Sequence, residues 1–307
     1  MFEPIHPDAV DGLYDIDVEH ASFGYGAGEV LRDIDLRIGR GISCLLGRNG
    51  AGKSSFLRLL AGVVAPDRGH VRVAGEPVHR SAAARALVGY LPHRPALYPA
   101  LTVAENLRFW GGAQGLLPAT ISLRTAALSR WFELGDLFGR RADALSRGQQ
   151  QRVALVRTFL RDSPVLLLDE PATGLDAAST QALHDYLRAR AETGAVVVVS
   201  THDAEQAWRL GEQFLMVTPA HAIESLAKSC VDRGDEREVE LQIGVQRAAL
   251  LRDLAVPQRL ENDRCLFRVS GDDSLDALVQ RALSLGMRVN GIRPVESGGQ
   301  WLERWMR

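Results

Sequence analysis

Lysine is almost missing from this chain. Of 307 residues only Lys53 and Lys228 carry an ε-amine, and the rest of the 36 basic residues are arginines. A sequence that otherwise chooses arginine has lysine where a compact ammonium fits and a guanidinium fork does not. Cysteine is scarce as well: Cys44, Cys230 and Cys265 are widely spaced, which argues against a disulfide framework or a thiolate metal cluster and suits inert thiols in a reducing compartment. No apolar run approaches the roughly 20 residues needed to span a bilayer, so any membrane role is expected to go through a partner. The opening MFEPIHPDAVDGLYD is acidic and polar, unlike a secretory signal, and predicts a cytoplasmic protein. A formal charge of −2 gives no general electrostatic reason to bind nucleic acid directly.

What is present centres on Gly47 to Ser55, GRNGAGKSS, which fits the phosphate-loop pattern G-x-x-x-x-G-K-[ST]. Gly47, Gly50 and Gly52, with Asn49 and Ala51 between them, let successive backbone N–H groups face phosphate oxygens. A helix starting near Lys53 adds its positive dipole end. Lys53 supplies a point charge for the β- and γ-phosphates, and the Ser54 hydroxyl, next to Ser55, can ligate Mg²⁺. The context agrees, because Ile42 to Leu46 reads as a buried strand and Phe56 to Leu60 as a helix ending at Gly62.

Around that loop the chain reads as strands and helices. Tyr14 to Phe23 and Val30 to Ile38 alternate as an antiparallel pair joined by a Gly-rich turn. Tyr25, at the tip of that turn, is either a plain turn aromatic or a stacking platform for a base. Thr102 to Glu105 is a capping box that opens a mostly helical stretch to residue 134, interrupted near Gly115 to Pro118. Val165 to Leu168 and Ala195 to Val199 read as buried strands. They deliver Asp169-Glu170 and Ser200-Thr201-His202 at their carboxyl ends, which together with the phosphate loop predicts a parallel sheet with one reactive edge.

These motifs, in this order from about Tyr14 to Val217, resemble the ATPase subunit of an ATP-binding-cassette (ABC) transporter. The resemblance implies a P-loop α/β fold with a mostly parallel sheet, an antiparallel β subdomain and a helical insertion at about 95–160. It implies ATP and Mg²⁺ as ligands, Asp169 holding the metal through water, Glu170 as general base and His202 on the γ-phosphate. Gly174-Leu175-Asp176 resembles the loop through which paired subunits communicate. Ser146, Gly148 and Gln149 resemble the family signature, which closes over the nucleotide held by a second subunit, so a dimer and an integral membrane permease are the implied partners. That arrangement would hold the chain peripherally on the inner face of the cell membrane.

Two positions depart from the family pattern. Arg147 stands in place of a glycine and either points away from phosphate or adds charge to it. His93 stands in place of a glutamine whose amide oxygen lies near the metal. Imidazole nitrogen suits Mg²⁺ less well than oxygen, so the expectation is retained hydrolysis with weaker coupling, or with added sensitivity between about pH 5 and 8. Beyond about residue 218 the nucleotide motifs stop. Residues 219–307 read as a small α+β extension with strands at 238–243, 265–269 and 289–295 and helices at 246–254 and 275–285, similar in layout to extensions of export ATPases. The expectation is therefore an ATPase powering export. The alternatives are a soluble ATPase acting on ribosomes or nucleic acid, and a weakly hydrolysing regulatory subunit.

Overall fold

The computed structural model describes residues 12–26, 28–228, 236–242, 257–261, 264–270, 278–281, 288–294 and 302. The chain divides into two compact units, Met1–Lys228 with Met306–Arg307, and Ser229–Trp305.

In the first unit, β1 (Ile16–Tyr25) pairs antiparallel with β2 (Gly28–Ile38) and with β4 (Arg68–Val73), which continues into β5 (Glu76–Pro77). Ile16, Val18, Ala21 and Phe23 turn inward together with Leu31, Ile34 and Ile38. Strict alternation would put Ala21 outward. Register shifts after Val18 restore it to the core side, with His20 at a positive φ of 48° absorbing the extra residue.

The second sheet has the order β10-β9-β3-β8-β7-β6. Its strands are β3 (Gly41–Leu46), β6 (Val88–Leu91), β7 (Val165–Asp169), β8 (Val196–Ser200), β9 (Gln213–Val217) and β10 (Ile223–Ala227). All pair in parallel except β10, which runs antiparallel to β9. Strands β3, β7 and β8 are buried along their whole length, as apolar runs flanked by helices on both faces should be. Phe56, Leu57, Leu59 and Leu60 of α1 (Lys53–Leu60) pack into the same core, each fully buried and worth about 1.5–3 kcal/mol.

Neither β9 nor β10 announces itself in sequence. Gln213–Val217 is a five-residue run between polar neighbours, and β10 shows only a weak alternation of buried and exposed positions. The sheet thus continues past residue 218. Two short helices, α2 (Ala82–Ala86) and α7 (Ala204–Leu210), are also too brief for a periodic signal and are set by their caps, Ser81 and Asp203.

The helical insertion contains α3 (Val103–Ala113), α4 (Pro118–Phe132) and α5 (Arg147–Phe159). The capping box at Thr102 and Glu105 is formed as expected, and Pro118 begins α4 at the position where a missing N–H costs nothing. Helix α6 (Ala177–Glu192) connects β7 to β8.

The second unit holds an antiparallel sheet in the order β12-β13-β11-β14, formed by Glu236–Gln242 (β11), Pro257–Glu261 (β12), Arg264–Ser270 (β13) and Arg288–Pro294 (β14). The strands expected at 238–243, 265–269 and 289–295 are present within a residue or two at each end, and β12 is an additional one. Residues 278–281 are helical, inside the expected helix 275–285, while the helix expected at 246–254 falls outside the described residues.

Candidate active site

The register of the parallel sheet assembles the site. Leu45 of β3 and Asp169 of β7 both lie opposite Ser200 of β8, so three strands end at one edge. From that edge run the loop Gly47–Gly52, the pair Asp169-Glu170, and Thr201-His202.

Gly52 caps α1 at a φ of 108°, and a Cβ there would lie 3.0 Å from Val30 Cγ1, so both conformation and space require glycine. Lys53 follows as the first helical residue and is 7% exposed. Its ammonium donates to the carbonyls of Gly47 at 2.7 Å and Arg48 at 3.2 Å. Burial holds its pKa below the ordinary value, opposed by the negative charges of Glu170 and Asp169. Asn49 and Gly50 form the exposed tip, Ala51 and Ser54 are half-buried, and Ser55 is buried.

Asp169 is 2% exposed, and one of its oxygens accepts from the Ser200 hydroxyl at 2.7 Å. The same hydroxyl accepts the backbone N–H of Glu170 at 2.9 Å. Glu170 sits at a positive φ of 49°, a conformation costing on the order of 1–3 kcal/mol that the surrounding contacts must hold. Its carboxylate lies 3.3 Å from His202 Nδ1 and accepts from the Thr173 hydroxyl at 3.2 Å. A carboxylate with one oxygen toward an imidazole and the other steadied by a hydroxyl is arranged to draw a proton from a water placed beside it.

Ser146 caps α5, and a capping box ties it to Gln149: Ser146 Oγ accepts the Gln149 N–H at 3.3 Å, and Gln149 Oε1 accepts the Ser146 N–H at 3.0 Å. Gly148 is needed for close approach, since a Cβ there would lie 2.5 Å from the Gly174 carbonyl oxygen. The side-chain stem of Arg147 runs past Gly174, its Cγ 3.4 Å from where a Cβ of Gly174 would be. The buried Gln151 amide donates to the Pro171 carbonyl at 2.9 Å, a second tie between α5 and the segment after Glu170.

Tyr25 is 51% exposed, stands edge-on to Phe23, and its hydroxyl lies 3.5 Å from Ser55 Oγ and 3.2 Å from Arg58 Nη1. The turn that carries it is therefore held against the start of α1. His93 is exposed, and its side chain makes no hydrogen bond among the described residues.

The donors at the sheet edge fit Mg²⁺: Ser54 and Asp169 offer oxygen only, and no group of three His, Cys, Asp or Glu that could hold a metal occurs among the described residues. A cation that keeps water and phosphate ligands needs few protein groups. The sequence places Ser200 at the strand end, as a hydroxyl closing a run of four valines, without marking its role, and it marks neither Thr173 nor Gln151.

A family model described as ABC transporter matches residues 31–173. Nod factor export ATP-binding protein I of Bradyrhizobium diazoefficiens is 36% identical over 205 residues, which is 66% of this chain and 67% of that protein. The SkfA peptide export ATP-binding protein SkfE of Bacillus subtilis is 32% identical over 211 residues, covering 68% of this chain and 82% of that one. A solved ATP-binding subunit of an ABC transporter superposes with a TM-score of 0.66 at 30% identity, over 71% of this chain and 92% of its own.

Proposed function

This chain belongs to the ABC transporter ATP-binding family, and from that premise we propose that it is the ATP-hydrolysing subunit that powers export of a substrate through a separate membrane permease. The observation that carries the reading is the convergence of Lys53, Asp169, Glu170 and His202 at one sheet edge beside the phosphate loop. Both relatives named above carry export in their names, which supports the direction of transport.

In this reading the loop amides of 47–52 and Lys53 bind the β- and γ-phosphates, and Tyr25 lies against the base. Mg²⁺, when bound at Ser54 and Asp169, would neutralise charge developing on the phosphates. Glu170 takes a proton from the attacking water, and His202 steadies both the water and the terminal phosphate. The α5 N-terminus with Ser146, Gly148 and Gln149 completes the site of a second subunit, so the working unit is a dimer. His93 follows β6 on the loop leading to the insertion and takes part through that loop rather than as a strong metal ligand. The ATPase unit comprises the sheet through β10, with the second unit as an appendage for dimer contact or regulation.

No helix among the described residues is long and apolar enough to cross a membrane. The chain reaches the inner face of the membrane through its permease. The helical insertion offers the contact surface: Tyr98 and Phe109, 44% and 46% exposed, pack edge-on at 4.7 Å with Trp110 beside them. Purification of the tagged full-length chain from native membranes in mild detergent tests this. A stoichiometric multi-span partner whose presence stimulates ATP hydrolysis is expected; recovery with ribosomes or nucleic acid and no such partner would overturn it.

A further inference from the structure

Arg147 stands where the family signature has glycine, and the ATPase reading gives its side chain no task. It is the first helical residue of α5 and is exposed, and its guanidinium has no hydrogen-bond or ion-pair partner among the described residues. Its stem lies against another element nonetheless. Cγ, Cδ and Nε are 3.4, 3.6 and 3.8 Å from the point where a Cβ of Gly174 would stand. Arginine commonly lays its methylenes along a surface and leaves its charge in water, and here that surface belongs to the loop between β7 and α6. The stem covers the face of Gly174 that a side chain of its own would occupy.

The same loop carries Glu170. Glu170 opens it at a φ of 49°, and Gly174 follows at 80°. Thr173, one residue before Gly174, donates its hydroxyl to Glu170 Oε2 at 3.2 Å and its N–H to the Glu170 carbonyl at 3.2 Å. Helix α5 holds the start of the loop through Gln151, which donates to the Pro171 carbonyl at 2.9 Å. It also closes on Gly174 at Gly148, where there is no room for a Cβ beside the Gly174 carbonyl. Gly174 is exposed and, as a glycine, has wide backbone freedom, so a displacement there carries the Thr173 hydroxyl with it.

We propose that Arg147 is a positioning residue for Glu170: its methylene stem, not its charge, restrains Gly174 and so the Thr173 hydroxyl that steadies the carboxylate. The guanidinium stays in water, and a smaller residue at 147 leaves Gly174 uncovered. The inference rests on Glu170 being the base of the ATPase reading.

Steady-state ATPase kinetics of the full-length chain test it. Arg147→Ala removes the stem without adding the freedom of a glycine, and Arg147→Met keeps a stem of similar length while losing the charge. Arg147→Ala is expected to lower kcat about three- to tenfold with KM for ATP within about twofold of the parent, and Arg147→Met to stay within about twofold in both. Thermal unfolding checks that both variants keep the fold. Parental turnover in Arg147→Ala would overturn the proposal. So would a loss in Arg147→Met as large as in Arg147→Ala, since the charge would then be the part that acts. Combination with Glu170→Gln under single-turnover conditions separates the inference from the reading beneath it. Residues that act through one another are non-additive, so Arg147→Ala is expected to cost nothing further once the carboxylate is gone. A further several-fold loss would overturn the inference alone, whereas hydrolysis at the parental rate in Glu170→Gln would remove the base and the inference with it.

Discussion

The Ser200 hydroxyl donates to Asp169 Oδ1 at 2.7 Å while accepting the amide of Glu170, so one side chain from the neighbouring strand fixes both acidic residues. Ser200→Ala leaves a buried carboxylate oxygen and a strained backbone N–H without partners. The expected result is a loss of about 1–3 kcal/mol in stability. Turnover should fall on the order of tenfold with little change in KM, as for a positioning residue. Thermal unfolding and steady-state ATPase kinetics check the two parts separately.

Replacing Glu170 by Gln keeps its shape and its Thr173 contact but removes the charge that, in the proposed mechanism, draws a proton from water. Hydrolysis is expected to drop by about 10² to 10⁴. Nucleotide affinity, measured with a fluorescent ATP analogue, is expected to stay within about twofold of the parent. Undiminished hydrolysis would remove Glu170 from the role of base.

Gly148→Ala places a methyl group where the Gly174 carbonyl oxygen already lies, at 2.5 Å. Backbone cannot swing aside as a flexible side chain does, so the segment 172–176 must move. The variant is expected to lose about 1–3 kcal/mol in stability and more than tenfold in activity. Chemical denaturation alongside the ATPase assay separates the two.

His184 is 7% exposed on α6, and burial holds its imidazole below the ordinary value of 6.5. The unfolded chain therefore takes up a proton before the folded one as pH falls. This group's contribution to stability is full above about pH 6.5 and is lost as pH drops toward the depressed folded value. His184→Gln is expected to flatten the decline in unfolding midpoint between pH 7.5 and 5.5, and an unchanged slope would assign that decline to other groups.

Motif residues were legible in sequence because each is tied to a chain position that its chemistry demands. Lys53 must open a helix, and Asp169 and Glu170 must end an apolar strand; both facts can be read along one dimension. Ser200 and Gln151 act across strands or between a helix and a loop, and no local pattern encodes a partner 20 or 31 residues away, whereas Thr173 lies only three residues from Glu170 and went unmarked because a threonine in a loop carries no signal of its own. Strands β9 and β10 were hidden for a related reason. Their pairing is stabilised by β3 and by each other rather than by a propensity strong enough to show over five residues. Arg147 was ambiguous in sequence, and its stem runs along Gly174.

The two lysines prove to be anchored rather than free. Lys53 is buried against the phosphate-loop carbonyls, and Lys228 donates to the Trp208 carbonyl with its ammonium 4.8 Å from the centroid of the Trp208 ring. The protein thus presents almost no mobile side-chain amine to solvent. Reagents and enzymes that acylate lysine have little to work on apart from these two positions, and one of them is the nucleotide site itself. Amine labelling, commonly used to map surfaces, becomes here a report on whether that site is occupied.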